Sequence, residues 1–533
     1  MHRIHALASR GRAPQPDRPC SEATSVSPAD APLFSIVTPV FDTDPAQLRE
    51  MVDSVLAQHS GDWQLLLVDD CSTSAATIEA LTVIQDLDPR ITVVRRSTNG
   101  RISAATNTGL EAAAGTFVVL VDHDDTLSPA ALAVAAAAIA ADEAVDYLYS
   151  DEDKIDDEGG LSGAFAKPRW SPARLLSQMY TSHVSIIRTA LLREVGGFRS
   201  DYDGSQDHDA MLRVTERARS IVHLGEVLYH WRATAGSTAI DVREKDYAWD
   251  AGLRAVSEAV GRRRLAGVAE PGRLPGTYRI AWSLPTAVSL VLCIDDDTEA
   301  QRATDAVVAL TTGVETDVEL VVVHAPAVSE ATLQRFEETP TSRRVFVPAP
   351  SDSSSAARNI GFSHSTADVV VFVDTRIESV AVDSLANLTG PLSQPDVGAV
   401  GARLLDTSGH ILHAGFRYAR GDYRRPYSGR AADAAGEANA LVVDREVSAV
   451  SAMLVAVDRF GFESVGGWNE GLRGEIADLD LGRKFAWLGR RVLWSASAEA
   501  VVDRRPEDAD TADEHAAGLF ARWGEPTDDP YIP

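Results

Sequence analysis

Cysteine is scarce in this 533-residue chain. Cys20, Cys71 and Cys293 stand far apart, with no paired metal-ligand spacing and too few for a disulfide framework. Long apolar runs are missing as well. None approaches the roughly 20 residues that span a bilayer, and the alanine-rich stretch 130–141 reads as a packed helix. Positive charge is in deficit: 50 Lys and Arg against 78 Asp and Glu leave a net charge of −28. That excludes a nucleic-acid backbone as partner. Also lacking is a Gly-x-Gly-x-x-Gly turn after the first apolar strand, where Thr38-Pro39-Val40-Phe41-Asp42 stands instead. A dinucleotide-binding oxidoreductase is thereby excluded. The N-terminus carries His and Arg but no signal-peptide core, and residues 1–32, rich in Pro, Ser and Arg, are expected to be a disordered leader. The expectation is a cytoplasmic globular protein of two or three domains.

What is present is a strand–helix alternation. Phe34–Phe41 is an apolar strand stopped by a proline, and a helical pattern follows at Leu48, Met51, Val52, Val55 and Leu56. The strand Trp63–Val68 ends in Asp69-Asp70. A helix near 77–85, a short strand at 91–95 and a helix through 104–113 lead to the strand Phe117–Val121. This spacing predicts an α/β fold with a mostly parallel sheet and crossover helices. The plan then recurs. Ser354-Ser355-Ala356-Ala357-Arg358-Asn359-Ile360-Gly361 echoes Ser103-Ala104-Ala105-Thr106-Asn107-Thr108-Gly109, and Val465-Gly466-Gly467-Trp468 echoes Val195-Gly196-Gly197-Phe198. Two similar domains are expected at 33–270 and 287–505, joined by a Gly/Pro-marked linker at 271–286. An acidic C-terminal tail, 506–533, is expected to be frayed or loosely packed.

Acidic clusters fall where strands end. Val118–Val121 runs into Asp122-His123-Asp124-Asp125. Such carboxylates must be solvated, paired or metal-bound, and Asp-x-Asp suits a hard divalent cation that also takes diphosphate oxygens. Asp69 and Asp70 can accept from a nucleobase or ribose, or can cap the next helix. Arg101 offers a planar donor fork to phosphate or is a surface charge, while Asn107 is expected to hold loop backbone. Ser150-Asp151-Glu152-Asp153-Lys154 reads as an acidic turn, either solvated or facing a sugar. Gly204-Ser205-Gln206-Asp207-His208-Asp209 reads as a loop feeding a helix, with Asp207 a helix cap or a general base. In Tyr229-His230-Trp231-Arg232, His230 can join a metal shell or simply pack, and Arg232 can balance phosphate charge.

Taken in order, these segments resemble the family 2 glycosyltransferases of GT-A fold, in the rhamnosyltransferase-like, O-antigen-type branch often built as tandem domains. The resemblance covers about 34–237 and, more weakly, about 288–502. It implies two tandem GT-A-like domains and inverting transfer of a hexosyl or deoxyhexosyl group from a UDP-, dTDP- or GDP-sugar to an acceptor hydroxyl. It implies that Asp70, assisted by Asp42 or Asp69, recognises the nucleoside. Asp122, Asp124 and His230 then hold Mn²⁺ or Mg²⁺, and Asp207 is the base, although Gln206 stands where the commonest motif has Glu. Arg101, Asp151, Glu152, Asp153 and Arg232 are carried as substrate-facing. The implied setting is cell-envelope polysaccharide synthesis on a glycan or lipid-linked glycan, with peripheral association at the inner face of the plasma membrane. A non-catalytic nucleotide-sugar or glycan-binding protein is the alternative; intact Asp70, Asp122, Asp124 and Asp207 count against it.

The second half departs from the pattern. His324-Ala325 stands opposite Asp69-Asp70, and Arg376 opposite Asp124, so this domain is expected to be inactive as a transferase. Its stretch 401–416, with His410 and His413, is expected to face glycan.

Overall fold

The computed structural model describes residues 31–232, 246–349, 353–419, 422–503, 512–525 and 529–532. Nearly all of the expected leader lies outside the described residues.

The first sheet contains β1 (Phe34–Val40), β2 (Trp63–Asp69), β3 (Ile91–Arg95), β4 (Phe117–Leu120), β5 (Thr126–Leu127), β6 (Val145–Ile155), β7 (Leu161–Phe165), β8 (Ser185–Arg188) and β9 (Ser220–Arg232). Its order is β3-β2-β1-β4-β8-β6-β9-β5, with β7 on β6. The block β3-β2-β1-β4 is parallel, and β8 runs antiparallel between β4 and β6. Continuous Val/Leu/Ile runs form this block because helices cover both faces. The helix Pro45–Leu56 shows how the cover forms. Asp44 caps it by accepting from the amide of Ala46 at 2.7 Å, Pro45 fits its first turn, and Leu48, Met51, Val52 and Val55 bury one stripe.

A hairpin of β10 (Gly267–Pro271) and β11 (Tyr278–Trp282) occupies most of the expected linker. Glycine and proline there mark a turn between paired strands.

The second sheet follows with β12 (Ala287–Ile294), β13 (Asp317–His324), β14 (Arg343–Pro348), β15 (Val369–Val373), β16 (Ile377–Val380), β17 (Val397–Asp406) and β18 (Ile411–His413). After a small ladder of β19 (Arg417–Ala419) and β20 (Asp422–Arg424) come β21 (Arg445–Glu446), β22 (Leu454–Asp458) and β23 (Arg491–Val502). The order β14-β13-β12-β15-β22-β17-β23-β16 repeats that of the first sheet strand for strand. The fold is α/β with two GT-A-like domains. The duplication reaches side chains. A Cβ on Gly109 would lie 2.4 Å from Val37 Cγ1, and one on Gly361 would lie 2.3 Å from Val291 Cγ1. Each glycine lets its helix lie directly on the central strand.

Among the described residues of the C-terminal segment, 512–525 and 529–532, apolar side chains pack on the second domain. In the helix Ala512–Trp523, Leu519 is buried beside Phe416, Ile476 and Leu479. The Trp523 indole donates to Asp480 at 2.8 Å, and Asp529 accepts from the amide of Tyr418 at 3.0 Å. Asp529 of this segment serves as an internal acceptor, which composition alone does not reveal.

Candidate functional site

Two cavities of the first domain meet at Asp122. One, of about 390 Å³, is lined by Asp70, Asn99, Arg101, Asp122 and Asp124. The other, of about 580 Å³, is lined by Asp122, His183, Asp207, Trp231, Trp249 and Tyr278 among others. Both open at the carboxyl ends of the parallel strands, where α/β sheets gather ligands.

Asp70 sits at the end of β2 with its carboxylate fixed. Both oxygens accept from the Gly100 amide at 3.0 Å, and Arg96 Nε lies 3.0 Å away. Asp69 points elsewhere, to the Ser72 amide at 2.8 Å and to Arg95 at 3.2 Å. Asp42 accepts from the amides of Thr73 and Ser74 at 2.7 Å each, and these bonds, that from Ser74 foremost, hold its pKa below the ordinary value. Of the three proposed nucleoside-side acids, only Asp70 lines the cleft.

Asp122, Asp125 and His183 can each bring one ligand atom within 4.8 Å of the others. Asp125 is buried, accepting from the Tyr229 hydroxyl at 2.5 Å and the Arg232 amide at 2.7 Å. Burial, then Asp122, pushes its pKa up to about 7. Burial opposes protonation of His183, yet Asp122, Glu152 and Asp125 raise its pKa above the ordinary value. A crowded oxygen set with one imidazole fits a divalent cation, which would relieve the repulsion. Asp124 stands beside that set, its Oδ1 3.6 Å from His123 Nδ1, and faces the smaller cavity.

Several expected site residues turn inward. Ser150–Asp153 is not a turn but part of the buried strand β6. Asp151 bonds His223 Nε2 at 2.6 Å, Glu152 pairs with Lys167 at 2.8 Å, and Asp153 bonds His230 Nδ1 at 2.6 Å. His230 is therefore tied to β6 and lies outside the Asp122–Asp125–His183 group. Arg232 is buried; it donates to the Asp124 carbonyl at 2.7 Å and to Glu50 at 2.5 Å, bracing the acidic loop rather than facing a cavity. A long strand whose acids each meet a basic partner distant in sequence looks locally like a solvated charge run.

Asp207 occupies the first turn of the helix Gln206–Thr215 and borders the larger cavity. Next to it, His208 is buried with Nε2 donating to the Leu175 carbonyl at 2.6 Å, and burial lowers its pKa. Asp209 anchors the helix through Arg199 and Arg213. Asn107 holds loop backbone as expected: it accepts from the Phe198 amide at 2.9 Å and donates to the Phe198 carbonyl at 2.7 Å. His183 was not foreseen. It sits in a loop before β8 without a motif of its own; its amide donates to Glu152 at 3.2 Å and its ring stacks on Tyr229, 4.7 Å between centroids, which leaves Nε2 4.0 Å from Asp122.

A model of the family described as glycosyl transferase family 2 matches residues 35–195. A PGL/p-HBAD biosynthesis glycosyltransferase of Mycobacterium bovis is 31% identical over 185 residues, covering 34% of this chain and 70% of that protein. The chain belongs to the family 2 glycosyltransferases. An uncharacterized protein y4gI of Sinorhizobium fredii is 37% identical over 88% of this chain and 53% of its own length. The O-antigen biosynthesis protein RfbC of Myxococcus xanthus is 33% identical over 94% of this chain and 40% of its own length. The chain thus spans about half the length of these two relatives or less.

The second glycosyltransferase-like domain keeps the frame and loses the acids. Asn359 grips Trp468 as Asn107 grips Phe198, and the Asp480–Lys484 pair matches Asp209–Arg213. His324 ends β13 where Asp69 ends β2, and Ala325 follows. Arg376 lies 2.9 Å from Asp374, and the half-buried Asp374 is held charged by Arg376 and Arg358 against the penalty of desolvation. His413 is buried, and burial lowers its pKa to about 3. It does not present an imidazole to glycan. Among the described residues, no helix is long and apolar enough to cross a membrane.

Proposed function

We propose that the first domain is an inverting, metal-dependent transferase that moves a hexosyl or deoxyhexosyl group from a nucleoside-diphosphate sugar to an acceptor hydroxyl. The observation that carries this reading is the pair of cavities joined at Asp122, with Asp70 in one and Asp207 in the other. The smaller cavity suits the nucleotide. Asp70 would accept from the base, and Arg101 would offer donors to phosphate. Asp122 and Asp124 would hold Mn²⁺ or Mg²⁺, with Asp125 and His183 completing the set around Asp122. When bound, the cation neutralises the leaving diphosphate and removes the need for a proton donor there.

The larger cavity suits the acceptor. Trp231, Trp249 and Tyr278 give it the aromatic faces on which sugar rings pack. Asp207 would take the acceptor proton as the hydroxyl attacks the anomeric carbon from the side opposite the diphosphate, and one displacement inverts the configuration. Similarity to the O-antigen biosynthesis protein RfbC supports a cell-envelope polysaccharide as the product; the acceptor would be a glycan or lipid-linked glycan at the cytoplasmic face. The extents 33–270 and 287–505 serve as working domain bounds, the second being structural.

Transfer by Asp207→Asn tests the base. The variant should bind donor like the parent and lose roughly a hundredfold or more of kcat. Transfer at the parental rate would remove Asp207 from the chemistry.

A further inference from the structure

The helix Pro172–Ser177 belongs to the first domain, yet residues of the second hold it. Glu446 on β21 is 1% exposed. It accepts from the Ala173 amide at 3.1 Å and from the Ser171 hydroxyl. Arg491, 2.6 Å away, keeps that carboxylate paired. Farther along, Arg174 Nη2 and Gln178 Nε2 both donate to the Ala438 carbonyl, at 2.8 and 2.9 Å. Ser171, Arg174 and Gln178 are themselves buried. Ser171, Arg174, Gln178 and Glu446 are polar groups removed from water and satisfied across the domain boundary, so the helix has one well-determined seat.

Two routes lead from the clamp to the larger cavity. The Leu175 carbonyl accepts from His208 Nε2 at 2.6 Å, and His208 follows Asp207 in the chain. Met179, Ser182 and His183, which come directly after Gln178, form part of the cavity wall. A shift of the 172–177 helix therefore moves both His208, whose amide donates to Asp207 at 2.7 Å, and part of the wall of the cavity that Asp207 borders.

We infer that the second domain is a positioning scaffold for the first, with Glu446 as a positioning residue that sets the geometry of Asp207 through Ser171–Ser177 and His208. This rests on the reading of Asp207 as the base. It gives the domain that lost its acids a role in turnover without a ligand of its own. Because Glu446 touches no part of the smaller cavity, its loss should lower kcat and spare donor binding.

The test uses the full chain with Glu446→Ala, Glu446→Gln and Gln178→Ala, comparing kcat, donor affinity and amide exchange by mass spectrometry. Small misplacements of reacting groups cost up to about a hundredfold, so Glu446→Ala should lose roughly tenfold or more in kcat. Its donor affinity should stay within about twofold, and exchange over 175–183 and 206–212 should quicken. Glu446→Gln, which retains an acceptor, should recover part of kcat, and Gln178→Ala should show a smaller loss of the same kind. Parental kcat and exchange in a folded Glu446→Ala, or equal losses in kcat and donor affinity, overturn the inference. If that variant does not fold, parental kcat in both milder variants does the same. A parent without transfer counts against the proposed function alone. The exchange of 206–212 then still decides: unchanged protection in the variants refutes the coupling.

Discussion

Arg376 Nε lies 2.9 Å from Asp374 Oδ1, so the second domain supplies its own cation beside the strand-end acid. In the first domain the equivalent strand ends in Asp122, which is half-exposed and stands where the two cavities meet. One substitution class, carboxylate to guanidinium, separates an open acidic site from a closed ion pair.

Removing that guanidinium should hurt stability and not binding. Breaking a largely buried pair by deleting one partner costs about 3 kcal/mol. Arg376→Ala should therefore lower Tm by several degrees while leaving calorimetric donor affinity within about twofold. Weakened donor binding would show that the second domain holds nucleotide.

Asp70 and Asp69 are neighbours with different duties. Asp70 lines the smaller cavity, whereas Asp69 is spent on Ser72 and Arg95. A hydrogen bond to a charged group is worth about 1.5–3 kcal/mol, so Asp70→Ala should weaken donor binding by roughly ten- to a hundredfold. Equal affinity in Asp70→Ala and parent would move the nucleoside site elsewhere.

Asp478, the counterpart of Asp207, gives a pH prediction. It is buried, one carboxylate oxygen lacks a partner among the described residues, and burial pushes its pKa up to about 7. Its unfolded value is near the ordinary ~3.9. The folded state binds the extra proton between those values, so stability falls as pH rises from about 4 to about 7, and the cost is fully present above that range. Asp478→Asn should remove this slope and stabilise the chain at pH 8 by about 4 kcal/mol. Denaturant unfolding at pH 5 and pH 8 measures it; equal stability differences at the two pH values would contradict the assignment.

The frame of the molecule was legible because it is written in local pattern. Val/Leu runs, the Leu48–Val55 stripe and the paired Asn107 and Asn359 segments announce two copies of one sheet. Strand ends also pointed to Asp70 and Asp122, and a loop feeding a helix pointed to Asp207; all three line the two cavities. What stayed hidden depends on pairing across the chain. Asp151, Glu152 and Asp153 read as a solvated or sugar-facing turn because His223, Lys167 and His230 lie far from them in sequence. Arg232 read as a phosphate donor because nothing near it announces Glu50 or the Asp124 carbonyl. His183 carries no motif, and the folded C-terminal helix hides its apolar stripe among acids.

The most direct measurement is calorimetric titration of the full chain with a panel of UDP-, GDP- and dTDP-sugars, in Mn²⁺ or Mg²⁺ and in EDTA, for the parent and Asp124→Ala. The account predicts one nucleotide class bound at one site per chain, dependent on the cation and lost in Asp124→Ala. Binding that ignores both EDTA and the loss of Asp124, or two sites per chain, would contradict a single metal-dependent donor site in the first domain.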